Sequence, residues 1–357
     1  MRKAAAVIAL VLTTMAVGSK PLVSAEPVVP VPYAAFHWNV SGHKMNKNST
    51  GNGMVKAAVD AVNNPRYGVN PPAPAPRTNT VDLVSFNELC FDQFVELRKQ
   101  LEGWASGTTA PYARFIPGVP ANTIDHDGVT PVCGSGEFGM ALFSKHGLGE
   151  LEQYQLPPDD NTYLDARGLV REAQHSLACA PLADRPGMKF CTTHITGTST
   201  TAKPYGLHQI QAVQKRLEKL AADGDTYLVA GDFNAQPSYG RLNSMYADSV
   251  NTPANHDNTG MHRELDDTDT RCPGYGEATA AGNLDPTKYK RSCGKNLPPS
   301  EGGELPKIDM IFVRKDQLTL STVYTADTLT IPTSCGGACS DHNALIGKVT
   351  LNVHTTD

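Results

Sequence analysis

An α/β fold is predicted by three observations. Short apolar runs of strand length recur along the chain, segments with helical spacing interrupt them, and acidic, amide and imidazole residues stand just past several run ends. Strand ends are where an α/β scaffold commonly presents its reactive groups.

In chain order, residues 33–40 are the first predicted strand. Residues 55–62 carry helical spacing, and 63–77, crowded with Pro and Gly, read as a loop. An apolar strand at 81–86 ends in Asn87-Glu88, and 91–101 form a helix with apolar positions at Phe91, Phe94, Val95, Leu97 and Leu101. Further strands are predicted at 139–144, 168–173, 188–195, 227–230, 307–313, 318–324 and 344–351, with a long amphipathic helix at 207–220. Residues 251–304 are polar, rich in Gly and Pro, and carry two cysteines; they read as a surface excursion stapled by a disulfide. No repeat or clear linker divides the chain, so 26–357 are taken as one domain.

The N-terminus predicts secretion. Met1-Arg2-Lys3 is a short positive region, Ala4 to Val17 are apolar, and Val23-Ser24-Ala25 offers small residues for cleavage, so 1–25 read as a signal peptide. The apolar run falls short of the ~20 residues a spanning anchor needs, and no later stretch could span a membrane. Loss of Arg2, Lys3 and Lys20 leaves 28 basic against 36 acidic side chains, a formal charge of −8. Such a chain is not a DNA-coating protein, although divalent cations could still neutralise a polyanionic substrate locally.

Eight cysteines follow the signal, an even number in an oxidising setting, which favours up to four disulfides. Sequence does not fix the pairing. Near neighbours, Cys179 with Cys191, Cys272 with Cys293 and Cys335 with Cys339, are the expected pairs, leaving Cys90 for Cys133. A zinc site is the weaker reading, because no CxxC pair or Cys/His cluster has metal spacing.

The sharpest chemical signal is Tyr227-Leu228-Val229-Ala230-Gly231-Asp232-Phe233-Asn234, a buried strand that runs into Gly and then offers a carboxylate and an amide two residues apart. On an extended backbone, positions i and i+2 point the same way, so Asp232 and Asn234 can face one reacting centre. An Asp/Asn turn after a strand is the plainer alternative. Ser340-Asp341-His342 before the last strand and Asp309 opening another form a second signal, since a His held by a carboxylate keeps its tautomer and gains basicity. Glu88, Asn39 and His194, each at the end of its own strand, complete the set.

In order and spacing these pieces resemble the endonuclease/exonuclease/phosphatase superfamily. The resemblance rests on His37-Trp38-Asn39-Val40, Phe86-Asn87-Glu88, Thr193-His194-Ile195, Gly231-Asp232-Phe233-Asn234, Ile308-Asp309 and Ser340-Asp341-His342, with Gly139 to Ser144 as the apolar strand ending in Ser. It covers residues 33–353 and implies a four-layer sandwich of two mixed β-sheets flanked by helices. It further implies that Glu88 is the main Mg²⁺ ligand, assisted by Asn39 and Asp341, with Mn²⁺ or Ca²⁺ as substitutes. By the same resemblance Asp232 orients or deprotonates the attacking water, Asn234 donates to the phosphoryl oxygens, and His194 and His342, the latter paired with Asp309, contact the scissile phosphate. One departure stands out: where the pancreatic deoxyribonuclease branch leads us to expect a Glu partner for the first catalytic His, the comparable stretch, Ala166-Arg167-Gly168-Leu169, has Gly168. Gln211 matches a family tendency for Gln in that helix and is read as support for the site, outside the catalytic set.

The leading expectation is a secreted, monomeric, metal-dependent phosphodiesterase with nucleic acid as substrate and no stable membrane insertion. A sphingomyelinase or other phospholipid or inositol-phosphate phosphoesterase is the alternative, since one fold hosts all of these. Lys203, Lys288, Lys290, Arg291 and Lys295 are candidate cleft cations for the first reading, and Trp104 and Tyr112 candidate membrane contacts for the second. A non-catalytic phosphate-binding protein is the remote third, disfavoured by the intact Glu88, Asp232, Asn234, Asp309 and His342.

Overall fold

The computed structural model describes residues 28–63, 81–124, 131–165, 167–280, 293–294, 306–319, 324–329 and 334–354. The predicted signal peptide and nearly all of the 63–77 loop lie outside them.

Two six-stranded sheets stack face to face. The first has the order β15 (Thr325–Leu329), β16 (Ala344–His354), β1 (Val28–Asn39), β2 (Leu83–Cys90), β6 (Phe138–Ser144), β3 (Ala113–Val119). The second runs β13 (His262–Glu264), β14 (Asp309–Arg314), β12 (Thr226–Asp232), β11 (Arg185–His194), β10 (Ser176–Leu182), β7 (Glu152–Gln155). A small sheet of β4 (Thr123–Ile124), β5 (Pro131–Val132), β8 (Thr162–Leu164) and β9 (Val170–Glu172) stands beside them. Each large sheet is antiparallel except for one parallel pair, β1 with β2 and β11 with β12.

Side-chain alternation explains the layering. Along β1, Val31, Tyr33 and Ala35 meet Leu228, Ile311 and Phe190 of the second sheet in one buried cluster. The opposite row, Phe36 and Trp38, packs with Val84 and Phe86 under α1 (Met54–Asn63) and α2 (Phe91–Gln100). On the other side Tyr227, Val229 and Phe312 pack against Ile210, Val213, Leu217 and Leu220 of α3 (Tyr205–Ala222). The result is the helix–sheet–sheet–helix sandwich that the resemblance implied, with the central strands β2, β6 and β12 buried on both faces.

Several expectations need correction. The strand predicted at 318–324 is displaced: 315–317 form a 3-10 turn, the strand is β15 at Thr325–Leu329, and 320–323 lie outside the described residues. The strand predicted at 168–173 shrinks to Val170–Glu172, exposed in the small sheet. The segment 251–304 is no mere surface excursion where it is described. His262, Glu264, Asp266, Tyr275 and Glu277 are buried, and Lys307, itself fully buried, lies 3.4 Å from Glu264 and 3.6 Å from Asp266. The four disulfides join Cys90 to Cys133, Cys179 to Cys191, Cys272 to Cys293 and Cys335 to Cys339, as proximity along the chain suggested.

Candidate active site

The inward rows that build the inter-sheet core turn polar at one end of the sandwich. Beyond Tyr33 and Ala35 come His37 and Asn39; beyond Leu83 come Ser85 and Asn87; beyond Phe190 come Thr192 and His194; beyond Leu228 and Ala230 comes Asp232; and Ile311 and Val313 are preceded by Asp309. The C-terminal ends of the two parallel pairs meet there. Asn39 faces Asn87 in the register of the first pair, His194 faces Asp232 in the second, and Asp232 faces Asp309 on β14.

Asp232 is the hub. Its Oδ2 accepts a bond from Asn39 Nδ2 at 3.1 Å and lies 3.7 Å from His194 Nε2 and 3.9 Å from His342 Nε2. Its Oδ1 accepts from the Asn234 backbone at 2.8 Å, so the turn that favours Asp and Asn after a strand is present and serves the site. Asn234 has φ +46°, not an extended backbone, and reaches the same centre through this turn rather than through strand alternation. Glu88, φ +56°, sits at an irregularity in the β2–β6 pairing, and its Oε1 lies 2.9 Å from Asn39 Nδ2 and 3.9 Å from His194 Nε2. Two left-handed non-glycine residues in one site hold strain that the surrounding packing must sustain.

Opposite Glu88, His342 Nδ1 donates to Asp309 Oδ2 at 2.7 Å. Burial opposes the imidazole's charge, yet the Asp309 carboxylate outweighs it and raises the group to about 10. Burial likewise opposes charge on Asp309, but His342 and His37 hold it well below the usual carboxylate range. Asp232 moves the other way: burial, then the Asp309 charge, raise its carboxyl above the ordinary value. Two buried acids in unlike surroundings thus separate into a proton acceptor and a fixed anion. Asp341 lies half-buried in the same turn, next to Ser340, whose hydroxyl donates to the Asn39 carbonyl at 2.7 Å.

All eight predicted site residues therefore lie at this end of the sandwich. Sequence reading missed the layer beneath them. His37 Nε2 is 3.1 Å from Asp309 Oδ1 and its Nδ1 3.1 Å from the Ser85 hydroxyl, which contacts Thr192 Oγ1 at 2.7 Å; Asn87 accepts from the Asp232 backbone N–H at 2.8 Å. The supporting glutamine is Gln209, buried and accepting from Thr196 N–H at 2.9 Å, whereas Gln211 is exposed. Arg167 to Leu169 form an exposed turn, so that stretch was the wrong place to seek a partner for His194. Lys203 is tied to Asp160, and Lys288, Lys290, Arg291 and Lys295 lie outside the described residues. Trp104 and Tyr112 are packed against the core beneath α2, each donating a hydrogen bond to a backbone carbonyl, and do not form a docking hairpin.

A cleft of about 1080 Å³ opens beside Asn234, between Thr198 to Thr201 and Gln236 to Arg241, with Ile308 on a third side. Among the described residues no helix is long and apolar enough to cross a membrane.

The sequence profile of the endonuclease/exonuclease/phosphatase family matches residues 36–342, spanning every residue of this cluster. The chain belongs to that family. Structures of family members share its fold at low identity: a family protein from Bacteroides thetaiotaomicron (14% identity, TM-score 0.53, covering 90% of this chain and 98% of that one) and one from Bacteroides vulgatus (15%, 0.50, 90% and 99%). The human Nocturnin catalytic domain with bound sulfate anion is similar too (13%, 0.53, 93% and 99%). No curated protein sequence matches the chain significantly. As a family member it is a hydrolase of phosphate esters.

The donor set fits a hard divalent ion. Glu88 and Asp341 offer carboxylates at partly open positions, and Mg²⁺ is normally held by one or two carboxylates with water and phosphate completing the shell. The close group Asp232, Asp309 and His342 is better read as the His342–Asp309 hydrogen bond with Asp232 beside it than as an ion site, because both Asp309 oxygens are taken by imidazoles. Asn39 turns its Nδ2 toward Glu88 and Asp232 while its Oδ1 accepts from Ser41 N–H at 3.1 Å, so this amide orders the carboxylates as it stands.

Proposed function

We propose that this chain is a secreted, divalent-cation-dependent phosphodiesterase that hydrolyses nucleic acid, with residues 26–357 forming one catalytic domain that acts as a monomer. The observation that carries the reading is the convergence on Asp232 Oδ2 of Asn39, His194 and His342, with Glu88 alongside.

In this reading Glu88 and Asp341 hold Mg²⁺, with Mn²⁺ or Ca²⁺ as substitutes, and Asn39 orients their neighbourhood. The bound ion supplies charge neutralisation at the phosphate oxygens. Asp232, whose raised proton affinity suits it to the task, takes a proton from the attacking water. His342, an imidazolium at neutral pH with its Nδ1–H committed to Asp309, donates from Nε2 to a phosphoryl oxygen. His194 and Asn234, whose Nε2 and Nδ2 lie 3.4 Å apart, contact the same group, Asn234 with the N–H not spent on the Ile195 carbonyl. The cleft beside Asn234 receives the part of the substrate next to the scissile phosphate. Beside apolar Pro204, Leu207, Pro306 and Ile308 it presents Thr198, Ser199, Thr200, Gln236 and Tyr239, hydrogen-bonding groups and a ring face for a sugar and base, and on these we favour nucleic acid over phospholipid.

The test is purified mature protein on plasmid DNA, RNA, sphingomyelin and inositol phosphates, each with Mg²⁺ and with chelator. Nucleic acid should be cut with Mg²⁺ only, and Asp232→Ala should lower the rate by ~10²-fold or more. Turnover of sphingomyelin without nucleic acid overturns the substrate, and activity unaffected by Asp232→Ala overturns the mechanism.

A further inference from the structure

The two imidazoles that flank Asp232 are supported differently. His342 is fixed through its own ring by Asp309, whereas behind His194, the last residue of β11, stands a second imidazole–carboxylate pair, His175 with Asp159. His175 Nδ1 lies 3.0 Å from the His194 carbonyl oxygen and its Nε2 3.1 Å from Asp159 Oδ2. Both partners can only accept, so both ring nitrogens donate, and the ring cannot turn without losing one bond. The His175 and His194 rings meet edge to face, centroids 6.5 Å apart at 81°. The Asp159 side chain is fully shielded from solvent and is itself held. Asn161 donates to it through its backbone at 3.0 Å and, with its amide, to Thr196 Oγ1 at 3.3 Å, two residues past His194 in the chain. Gln209 closes the frame, accepting from Thr196 N–H and donating to the Pro157 carbonyl, both at 2.9 Å.

We propose that His175, clamped by Asp159, is a positioning residue for His194: it fixes the main chain and ring edge of His194 so that Nε2 faces the phosphate. The inference rests on His194 acting on the substrate as proposed above. It gives this chain a His–Asp support in place of the Glu partner expected for that histidine from the deoxyribonuclease branch.

The test is a double-mutant cycle on the full mature enzyme, with nucleic acid and Mg²⁺. His175→Ala should lower kcat by about ten- to a hundredfold with KM little changed, since a misplaced group costs rate rather than affinity. The same change in a His194→Ala background should cost little more, because the two residues act as a unit. His175→Asn, whose amide nitrogen can stand in for Nδ1, should recover much of the rate, and His175→Phe, which keeps ring volume without donors, should not. Thermal unfolding reports whether each variant is folded; if His175→Ala is not, the comparison of Asn with Phe decides. Equal rates for Asn and Phe, wild-type kcat in a folded His175→Ala, or a full loss still seen on top of His194→Ala each overturn the inference. A wild-type enzyme that cuts no phosphodiester, or is indifferent to His194→Ala, overturns the functional reading instead.

Discussion

At the scale of single residues, the site works by giving like groups unlike surroundings. Asp309 has an imidazole on each oxygen and Asp232 has none so close, so one stays charged while the other gains proton affinity. His37 is therefore part of what keeps Asp309 a fixed anion. Replacing it with Leu leaves Asp309 Oδ1 buried without that donor, and thermal or denaturant unfolding should show a loss of ~1–3 kcal/mol. Asp159 and His175 have a pH signature of their own. Burial works against the Asp159 charge, yet the bonds from His175 and Thr196 bring it from 3.8 to about 2, so its contribution is present above about pH 4 and fades as pH falls through 2. Burial also opposes charge on His175, but Asp159 raises it above 6.5, so its contribution is present below about pH 6.5 and is lost as pH rises past its folded value. The difference in melting temperature between wild type and Asp159→Asn should thus be largest between about pH 4 and 6.5 and shrink toward pH 2.

At the scale of elements, the parallel pair β11–β12 sets the spacing of His194 and Asp232, and Gly231 permits it. A Cβ there would lie 2.1 Å from the Thr193 carbonyl oxygen, a backbone atom that cannot step aside. Gly231→Ala should force the strands apart, lowering stability by ~1–3 kcal/mol as overpacking does, and reducing activity more than stability alone explains. How much of this was legible follows from what each strand shows. β1, β2, β12 and β14 are apolar runs with a polar site residue at or near one end, and both the strands and those site residues could be read. β10 was missed because its inward residues, Ala178 and Ala180, are too small to stand out, and β15, Thr-Ala-Asp-Thr-Leu, because it alternates weakly. His37, Ser85 and Thr192 could not be read because their role depends on which face of a strand meets the other sheet, and that is fixed only by the stacking. Gln209 and Gln211 differ by two residues on one helix, and only packing tells which is turned inward.

At the scale of the whole molecule, the proposed nucleic-acid substrate would meet a chain with more acids than bases, and so would be held through the site rather than through a broad surface. Lys203 is already paired, and the described cleft holds one cationic side chain, Arg241, which donates to the Asn234 carbonyl. Binding of a catalytically silent Asp232→Ala variant to DNA should therefore weaken with salt by a log–log slope of about −1 to −3, well short of a protein that neutralises six or more phosphates. A steep slope would reveal a basic surface elsewhere on the chain.

The pairing of β16 with β1, which sets Val28 beside His354, carries one more consequence. The strand that brings Asn39 to the site meets β2 early, but it finds its second neighbour only when nearly all of the polypeptide has been made, and Asp341 and His342 enter immediately ahead of that neighbour. Any fragment ending before Ala344 should be inert, however well its second sheet forms. The phosphoesterase site is in this way the last part of the fold to close, and the chain becomes competent only once β16 has docked.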